Sequence, residues 1–355
     1  VMDSESVRKI AYDMMTEKEA QTFEETMEMN FSYPVQGVGR FRVNVFRQRG
    51  NIAMVIRYLR NRTAGFEKLR LVGEKRGLVL VVGSTGSGKS TTLAAMIEHR
   101  NATRGGHVLT IEDPIEFVYT NNKCVINQRE VGQDTLSYDN ALVNAMREAP
   151  DVLLIGEVRD RQTLQHALLY GQTGHLCLTT LHANNSYHAL GRIINFFPHD
   201  ARDGLLHDLS TTLRAIISQR LVKGVDGSMV AAVEIMLNTK HIAELVKKGE
   251  IDQIKEAMEQ SLSPGSETFE QALFKLYSQG LITKDDALKN SDSPSNLAWL
   301  LDNAGVGKAG KAGGTSMFGM PGAGGGGHGS SSAGVPSALT TTGGISIDLD
   351  RLDRT

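Results

Sequence analysis

A glycine-rich stretch at residues 83–90 has the composition and spacing of a loop that binds phosphate. Its sequence fits the pattern G-x-x-x-x-G-K-[ST]. Glycines let successive backbone N–H groups turn toward one anion, and Lys89 adds a mobile positive charge for the β- and γ-phosphates. The Ser90 hydroxyl can bind Mg²⁺. The stretch predicts a site for a nucleoside triphosphate, formed by Gly83, Ser84, Thr85, Gly86, Ser87, Gly88, Lys89, Ser90 and Thr91.

The segments on either side of this loop support that interpretation. Residues 77–82 before it are a short apolar run that begins with glycine, as is typical of a buried parallel strand. Residues 91–100 after it carry apolar side chains at three- and four-residue spacing, which predicts a helix. A helix that begins at the loop directs its positive N-terminal end at the same anion. A glycine- and serine-rich turn that matches the pattern by chance is the alternative.

A carboxylate follows a second apolar run. Residues 152–155 are all apolar, and Gly156 and Glu157 come directly after them. In ATPases with such a loop, an acid at the end of a neighbouring strand holds Mg²⁺ or its water. We therefore predict Glu157 and Ser90 as metal-binding residues; the alternative is an acid that only starts the next loop.

Three carboxylates cluster at the end of another predicted strand. Residues 110–117 contain Glu112, Asp113 and Glu116, and Pro114 stiffens the turn between them. One of these acids could orient or deprotonate the attacking water, which is the role of a general base. Their spacing does not choose among the three, and surface acids at a helix start are the alternative.

Two histidines bracket a further apolar run. His175 precedes residues 176–180 and His182 follows them. His182 falls at the carboxyl end, beside the acids, where it could donate a hydrogen bond to the γ-phosphate. A satisfied polar group at a strand end is an equally good interpretation.

The elements that position these residues alternate between strand and helix. We predict strands at 78–82, 108–111, 125–128, 152–155 and 176–180, and helices at 91–100, 138–148, 161–170 and 186–196. This alternation predicts an α/β fold with a twisted, mainly parallel sheet and chemistry at the carboxyl ends of the strands. We then expect a long helix at 205–221, a strand at 229–236, and helical segments near 240–259, 267–279 and 284–301.

Changes in pattern divide the chain into five parts. Residues 1–62 predict two helices and a meander of strands, with many arginines and too little core for a whole domain. Because position 1 is valine, we expect a fragment whose earlier part is missing. Residues 63–76 resemble a linker, 77–238 the nucleotide domain and 239–302 a helical subdomain. Residues 303–355 are rich in Gly, Ser and Ala, so we expect disorder there.

Composition narrows the possible functions. The chain has 355 residues, 40% hydrophobic content and a formal net charge of −2, so it is not a globally basic nucleic-acid binder. Its two cysteines, Cys124 and Cys177, lack the spacing of a metal site or disulfide framework and suit a reducing cytoplasm. We find no signal peptide and no apolar run near the ~18 residues that a membrane span needs.

The motifs together closely resemble the PilT/PilU branch of the secretion-superfamily ATPases, the retraction motors of type IV pili. The resemblance covers about residues 1–300 and is carried by the order and spacing of residues 83–90, 110–117, 127–132, 147–151, 156–160 and 174–182. It implies a RecA-like nucleotide domain after a partial PAS-like domain. It also implies ATP hydrolysis by a homohexamer at the cytoplasmic side of the inner membrane, where it would contact a membrane-embedded platform protein.

The resemblance also assigns roles to residues. Glu116 would match the catalytic glutamate, Glu157 the acid of the second motif, and His175 and His182 the histidine box. Arg42 and Arg57 would match arginines that reach the nucleotide of the next subunit.

Two departures point within the branch. PilT proteins carry an Ala-Ile-Arg-type motif in their C-terminal helices, and Ala243 stands here at the arginine position. The Gly/Ser-rich tail is also longer than a typical PilT needs. Both departures favour the PilU type, an auxiliary motor that works with a PilT-type paralogue. The alternatives are an ATP-binding docking module that needs a partner motor, and a primary PilT-type motor. A nucleic-acid motor is a distant third because basic residues cluster only in the N-terminal unit.

Overall fold

The structure, a computed structural model, describes residues 3–35, 39–59, 76–261 and 263–306. The linker predicted at 63–76, apart from residue 76, and the tail after 306 lie outside these residues. The N-terminal unit has two helices and three strands, as its sequence pattern predicts: α1 (Ser4–Met14), α2 (Glu17–Thr26), β1 (Glu28–Val35), β2 (Gly39–Gln48) and β3 (Asn51–Leu59).

Local side-chain chemistry explains where these elements begin and turn. Asp3 accepts hydrogen bonds from the first N–H groups of α1, and Thr16 and Glu19 form a reciprocal capping box at α2. Arg49 and Gly50 both have positive φ in the turn between β2 and β3. The three strands form an antiparallel sheet in the order β1-β2-β3, and its buried face packs on both helices.

The rest of the described chain is built on one seven-stranded sheet in the order β10-β9-β4-β8-β7-β5-β6. All neighbouring strands run parallel except β9 and β10, which confirms the predicted mainly parallel α/β fold. The strands are β4 (Gly77–Val82), β5 (Gly106–Glu112), β6 (Cys124–Glu130), β7 (Val152–Ile155), β8 (Leu176–Leu181), β9 (Leu213–Lys223) and β10 (Met229–Leu237).

Helices cover both faces of this sheet. Alternate residues of β4 point to opposite sides: Leu78 and Leu80 join one core cluster, whereas Val79 and Val81 join the other. A strand buried on both faces is therefore a continuous apolar run. The covering helices are α3 (Lys89–Thr103), α4 (Tyr138–Ala145), α5 (Arg161–Gln172), α6 (Ser186–Asn195) and α7 (Arg202–Thr212).

The long helix predicted at 205–221 is wrong. Helix α7 ends at Thr212, and β9 begins at Leu213 beside β4. Residues 215–219 are buried on both faces of the sheet, so they show no polar–apolar alternation that would mark a strand. The pair of β-branched residues Ile216 and Ile217 fits a strand better than a helix.

Short helices follow β10. The first two pack into the main core beside α6 and α7, and the other three pack on the end of the β9–β10 hairpin. In chain order, these helices are α8 (Lys240–Lys248), α9 (Ile254–Glu259), α10 (Phe269–Ser278), α11 (Lys284–Lys289) and α12 (Pro294–Val306). The segment predicted at 240–259 is thus two helices, as is the one at 284–301, and α12 continues past the predicted boundary at 303. Among the described helices, none is long and apolar enough to cross a membrane.

Candidate nucleotide site

The glycine-rich loop connects the carboxyl end of β4 to the start of α3. Gly83, Gly86 and Gly88 have φ angles of 154°, 81° and 95°. Residues with a side chain rarely adopt the backbone conformations of Gly86 and Gly88. At Gly83, a Cβ atom would lie 2.3 Å from Ser87 Oγ and 2.6 Å from the carbonyl oxygen of Gln219. Glycine is therefore required at this position by close packing against β9.

The loop is rich in hydrogen-bond donors. Helix α3 begins at Lys89, and its N-cap residue Gly88 provides no side-chain cap. Ser87 is 3% exposed, and within the described residues its hydroxyl has no hydrogen-bond partner. Lys89 Nζ donates to the carbonyl oxygens of Gly83 and Ser84 at 3.0 and 2.9 Å. Free N–H groups at a helix start, a buried hydroxyl and an ammonium group fit the oxygens of a polyphosphate.

Lys89 also connects the loop electrostatically to the acids opposite it. Burial lowers the pKa of Lys89, whereas the negative charges of Glu157 and Glu116 raise it. The structure therefore brings Glu157 and Glu116 near the loop lysine. Ser90, half-buried at the start of α3, and Glu157 offer the hydroxyl and carboxylate oxygens that Mg²⁺ prefers.

Glu157 lies at the centre of a chain of polar contacts. Its Oε1 is 3.3 Å from His182 Nε2, and its Oε2 accepts from Arg159 Nε at 2.7 Å. Arg159 Nη1 is 3.3 Å from Asp113 Oδ2. Burial lowers the pKa of His182, and the charge of Lys89 lowers it further. A neutral imidazole at His182 can donate from Nε2 to Glu157.

The three acids at the end of β5 have different surroundings. Glu112 is buried and accepts from the Thr110 hydroxyl at 2.7 Å. Burial raises the pKa of Glu112 to about 7. Asp113 is exposed and pairs with Arg159. Glu116 is half-buried, and its charge acts on Lys89. These placements favour Glu116 as the acid that faces the phosphate loop.

Sequence reasoning assigned no role to Gln128 and Glu130 on β6, which hold the loop that carries Glu116. Gln128 accepts from the Tyr119 N–H at 2.9 Å and donates to the carbonyl oxygen of Phe117 at 2.8 Å. Glu130 accepts from the Ile115 N–H at 3.1 Å.

The loop is also bonded at Glu116 itself. The Glu116 backbone N–H donates to the carboxylate of Glu112, to which Gln128 Nε2 donates at 3.3 Å. Gln128 ends the strand predicted at 125–128 and Glu130 lies two residues beyond it, so the predicted strand does not indicate these contacts.

His175 lies away from this cluster. It precedes β8, and its carbonyl oxygen accepts from the N–H of Gly77 at the start of β4. His182 follows β8 at the carboxyl end of the strand, where the phosphate loop also lies. Strands rise ~3.3 Å per residue, so the six-residue strand between the two histidines separates them by roughly 20 Å. The structure brings His182, and not His175, to the loop of the same chain.

The two predicted arginines lie on the N-terminal sheet. Arg42 and Arg57 are paired across β2 and β3, and Arg57 is exposed. Arg42 lines a cavity of about 180 Å³ together with Asp113 and Glu130 of the same chain. For both arginines, the reach to a neighbouring subunit stays a prediction.

Comparison with known proteins places the chain in a family. A family model described as "Type II/IV secretion system protein" matches residues 45–262, more than half of the chain. The chain belongs to the type II/IV secretion system protein family. This family member is 46% identical over 308 residues to "Type IV pilus ATPase PilU" of Pseudomonas aeruginosa, which covers 84% of this chain and 81% of that protein.

Two further relatives place it in the PilT/PilU branch of the family. "Type IV pilus retractation ATPase PilT" of Pseudomonas aeruginosa is 41% identical, over 83% of this chain and 88% of that protein. The structure described as "Crystal Structure of the Pilus Retraction Motor PilT and Bound ADP" has a TM-score of 0.76 and 43% identity. It covers 82% of this chain and 85% of that chain. These similarities confirm the resemblance and the α/β fold inferred from the motifs.

Proposed function

We propose that this chain is an ATP-hydrolysing motor of the PilU type that powers retraction of type IV pili. One observation carries the proposal. The phosphate loop, Glu116 and the Glu157–His182 contact meet at one edge of the sheet, in a chain that is 46% identical to a type IV pilus ATPase. A loop that only bound nucleotide would not need the acids and the histidine around it.

The geometry supports hydrolysis by direct attack of water on the γ-phosphate of ATP. Backbone N–H groups of the loop and Lys89 Nζ bind the phosphates. Glu116 accepts the proton of the water as its oxygen bonds to phosphorus, and the bond from phosphorus to the oxygen of ADP breaks. The Nε2–H of His182, which contacts Glu157 in this structure, would donate to the transferring group instead once ATP is bound. Ser90 and Glu157 would hold Mg²⁺, which neutralises charge on the phosphate oxygens when bound.

The working assembly in this proposal is a homohexamer on the cytoplasmic side of the inner membrane. It associates peripherally with the pilus machine through the membrane-embedded platform protein and works beside a PilT-type motor. Arg57, exposed on β3, reaches the γ-phosphate bound by the neighbouring subunit. Arg42, which lies opposite Arg57 on β2, reaches the same neighbouring site.

The C-terminal helices support the auxiliary role over that of a primary motor. Helix α8 buries Ile242, Leu245 and Val246, and Ala243 is half-buried at the edge of that face. An arginine at this position could bind a carboxylate through two parallel hydrogen bonds, and alanine cannot. One docking contact of the PilT type is therefore missing, while the nucleotide site is complete.

Expression in a cell without PilT-type paralogues tests the proposal. Alone, the protein should hydrolyse ATP in the purified state yet fail to retract pili. Adding the paralogue should restore retraction and raise its force. Robust retraction by this protein alone would make it a primary motor. Hydrolysis only in the presence of the paralogue would make it an ATP-binding docking module.

A further inference from the structure

A guanidinium group on β9 connects the loop after β8 with the C-terminal helices. Arg220 donates to the carbonyl oxygens of Asn184 at 3.1 Å and Asn290 at 2.5 Å, and to Asp292 Oδ1 at 2.5 Å. Its guanidinium carbon lies 3.9 Å from the centroid of the Phe269 ring. The side chains of Arg220 and Asp292 are 18% and 15% exposed. One side chain therefore bonds two separate parts of the fold.

A second contact ties the same carboxylate to the start of α6. Asn185 is fully buried, and its Nδ2 donates to Asp292 Oδ2 at 2.9 Å. Its Oδ1 accepts from the His188 N–H at 2.9 Å and so caps α6. The two oxygens of Asp292 are thus divided between Arg220 and Asn185. We call these three residues the Asp292 junction.

The junction begins close to the nucleotide site. Asn184 and Asn185 follow directly on the segment of His182, the residue whose Nε2 contacts Glu157. Consecutive Cα atoms are 3.8 Å apart, so a shift of His182 by about 1 Å leaves only two intervening residues to absorb it. A displacement of the histidine on phosphate binding would therefore reach the Asn185–Asp292 bond.

A second route starts from the phosphate loop itself. Gln219 precedes Arg220 on β9, and its Nε2 donates to Thr92 Oγ1 of α3 at 2.8 Å. Its carbonyl oxygen packs so closely on the loop that a Cβ atom at Gly83 would lie 2.6 Å away. Because the phosphate loop contacts the residue next to Arg220, a movement of the loop against β9 would also shift Arg220.

Attachment of the C-terminal helices to the β9–β10 hairpin does not by itself require the Asp292 junction. Val222 and Ala232 of the hairpin already pack on Phe269 and Leu297 in a separate apolar core. A buried ion pair adds little stability over apolar packing, because desolvation of the charges offsets their attraction. Hydrogen bonds differ from apolar contacts in being directional. The bonds of Arg220 and Asn185 to Asp292 therefore form in one position of the C-terminal helices relative to the sheet and break in another.

We propose that the Asp292 junction transmits the nucleotide state of the site to the C-terminal helices α10–α12. The inference rests on the proposed ATP hydrolysis and adds the route by which it moves these helices. Asn185, Arg220 and Asp292 are positioning residues in this role, since their side chains contact no group assigned to catalysis.

An exchange of amide and carboxylate tests the junction. Asn185→Asp keeps the oxygen that caps α6 but places a second carboxylate against Asp292. Adding Asp292→Asn reverses the roles of the two groups: it restores the bond between them and leaves an amide oxygen at position 292 to accept from Arg220. The readout is amide hydrogen exchange of residues 269–306 in the full-length hexamer, with and without a non-hydrolysable ATP analogue and Mg²⁺. The affinity for the analogue is measured on the same preparations.

In the native protein, we expect binding of the analogue to change the rate of amide hydrogen exchange in α10–α12. Asn185→Asp should bind the analogue within about threefold of the native affinity and lose that change, and the double variant should regain it. Arg220→Lys, which keeps the charge but not the forked donor, should lose the change as well and serves if Asn185→Asp does not fold. A nucleotide-dependent change that persists in the single variants, or its absence from the native protein with analogue bound, would overturn the inference. Absence of ATP hydrolysis by the native protein would instead refute the proposed function.

Discussion

Arg42 and Arg57 lie directly opposite each other on neighbouring antiparallel strands. Side chains at such positions share one face of a sheet, with Cβ atoms ~5 Å apart, and like charges there repel. An anion between or beside the two guanidinium groups would relieve this repulsion. The pair is therefore suited to phosphate, and the two members differ in what surrounds them: Arg42 lines a cavity with its own acids, and Arg57 is exposed.

We predict that mixing inactive subunits will show both arginines acting between subunits. Arginines that stabilise a transferring phosphoryl group contribute about 10³–10⁵ in rate, so Arg42→Ala and Arg57→Ala should each lose nearly all turnover. Rings mixed from Arg57→Ala and Lys89→Ala subunits should recover ATPase activity, because some interfaces combine an intact loop with an intact neighbouring Arg57. Mixing Arg42→Ala with Lys89→Ala subunits should recover activity for the same reason. A mixture that recovers none, with co-assembly demonstrated, would show that its arginine acts within its own subunit.

Substitutions of Lys89 and Glu116 should block different steps, ATP binding and ATP hydrolysis respectively. Lys89→Ala removes the ammonium group that binds the phosphates, so it should abolish ATP binding. Glu116→Gln keeps the size of the side chain but cannot accept a proton, so binding should persist while turnover falls about 10²–10⁴-fold. Filter binding and phosphate release on the same preparations measure the two steps. Native turnover by Glu116→Gln would move the general base to another residue, and Asp113→Asn is then the next variant to assay.

Glu112 should make stability depend on pH. Its pKa rises from 4.5 to about 7 in the folded protein, chiefly by burial. The folded state therefore binds more protons than the unfolded state in that window, so the free energy of unfolding falls as pH rises through it. At 1.36 kcal/mol per pKa unit, the loss is on the order of 3 kcal/mol.

Glu112→Gln removes this titration. Relative to the native protein, the variant should gain stability between pH 5 and pH 8, measured as the midpoint of urea unfolding at each pH. Glu244→Gln, which changes an exposed glutamate on α8, is the control and should follow the native protein throughout. Parallel curves for the native protein and Glu112→Gln would place the titration elsewhere.

Residues after 306 should not contribute to the fold. Their composition of Gly, Ser and Ala leaves little apolar surface to bury against a large ordering entropy. Because α12 runs to Val306, truncation belongs after that residue and not at 303. Melting temperature and ATPase rate should stay within error of the full chain. A drop of several degrees would indicate that the segment docks, and Ile345, Ile347 and Leu349 are its candidate contacts.

The sequence predicted those parts of the fold whose signals are local. The phosphate loop and strand β4, which begins with glycine, each depend on a few neighbouring residues. Strand β9 was missed because burial on both faces removes the alternation that distinguishes a strand from a buried helix. His175 was grouped with His182 although opposite ends of one strand cannot reach the same site.

The support of the candidate site was missed for a different reason. Whether Gln128 contacts Phe117 and Tyr119 depends on the parallel register of β5 and β6, which pairs Thr110 with Gln128. Register between strands is a long-range property, set by packing across the whole sheet. The sequence could therefore place Glu116 at a strand end but not show what holds it there.

Gln128 offers the last test, because it bonds the loop of Glu116 without belonging to the phosphate site. Gln128→Ala should remove the bonds to Tyr119 and Phe117 and let the loop shift. A general base displaced by about 1 Å can lose ~10²-fold in rate, so turnover should fall steeply while ATP affinity stays near native. Asn127→Ala changes the adjacent residue of β6, whose side chain bonds His107 instead, and is the matched control. Steady-state phosphate release and filter binding on both variants decide the outcome: equal turnover in the two would mean that Glu116 does not depend on Gln128 for its position.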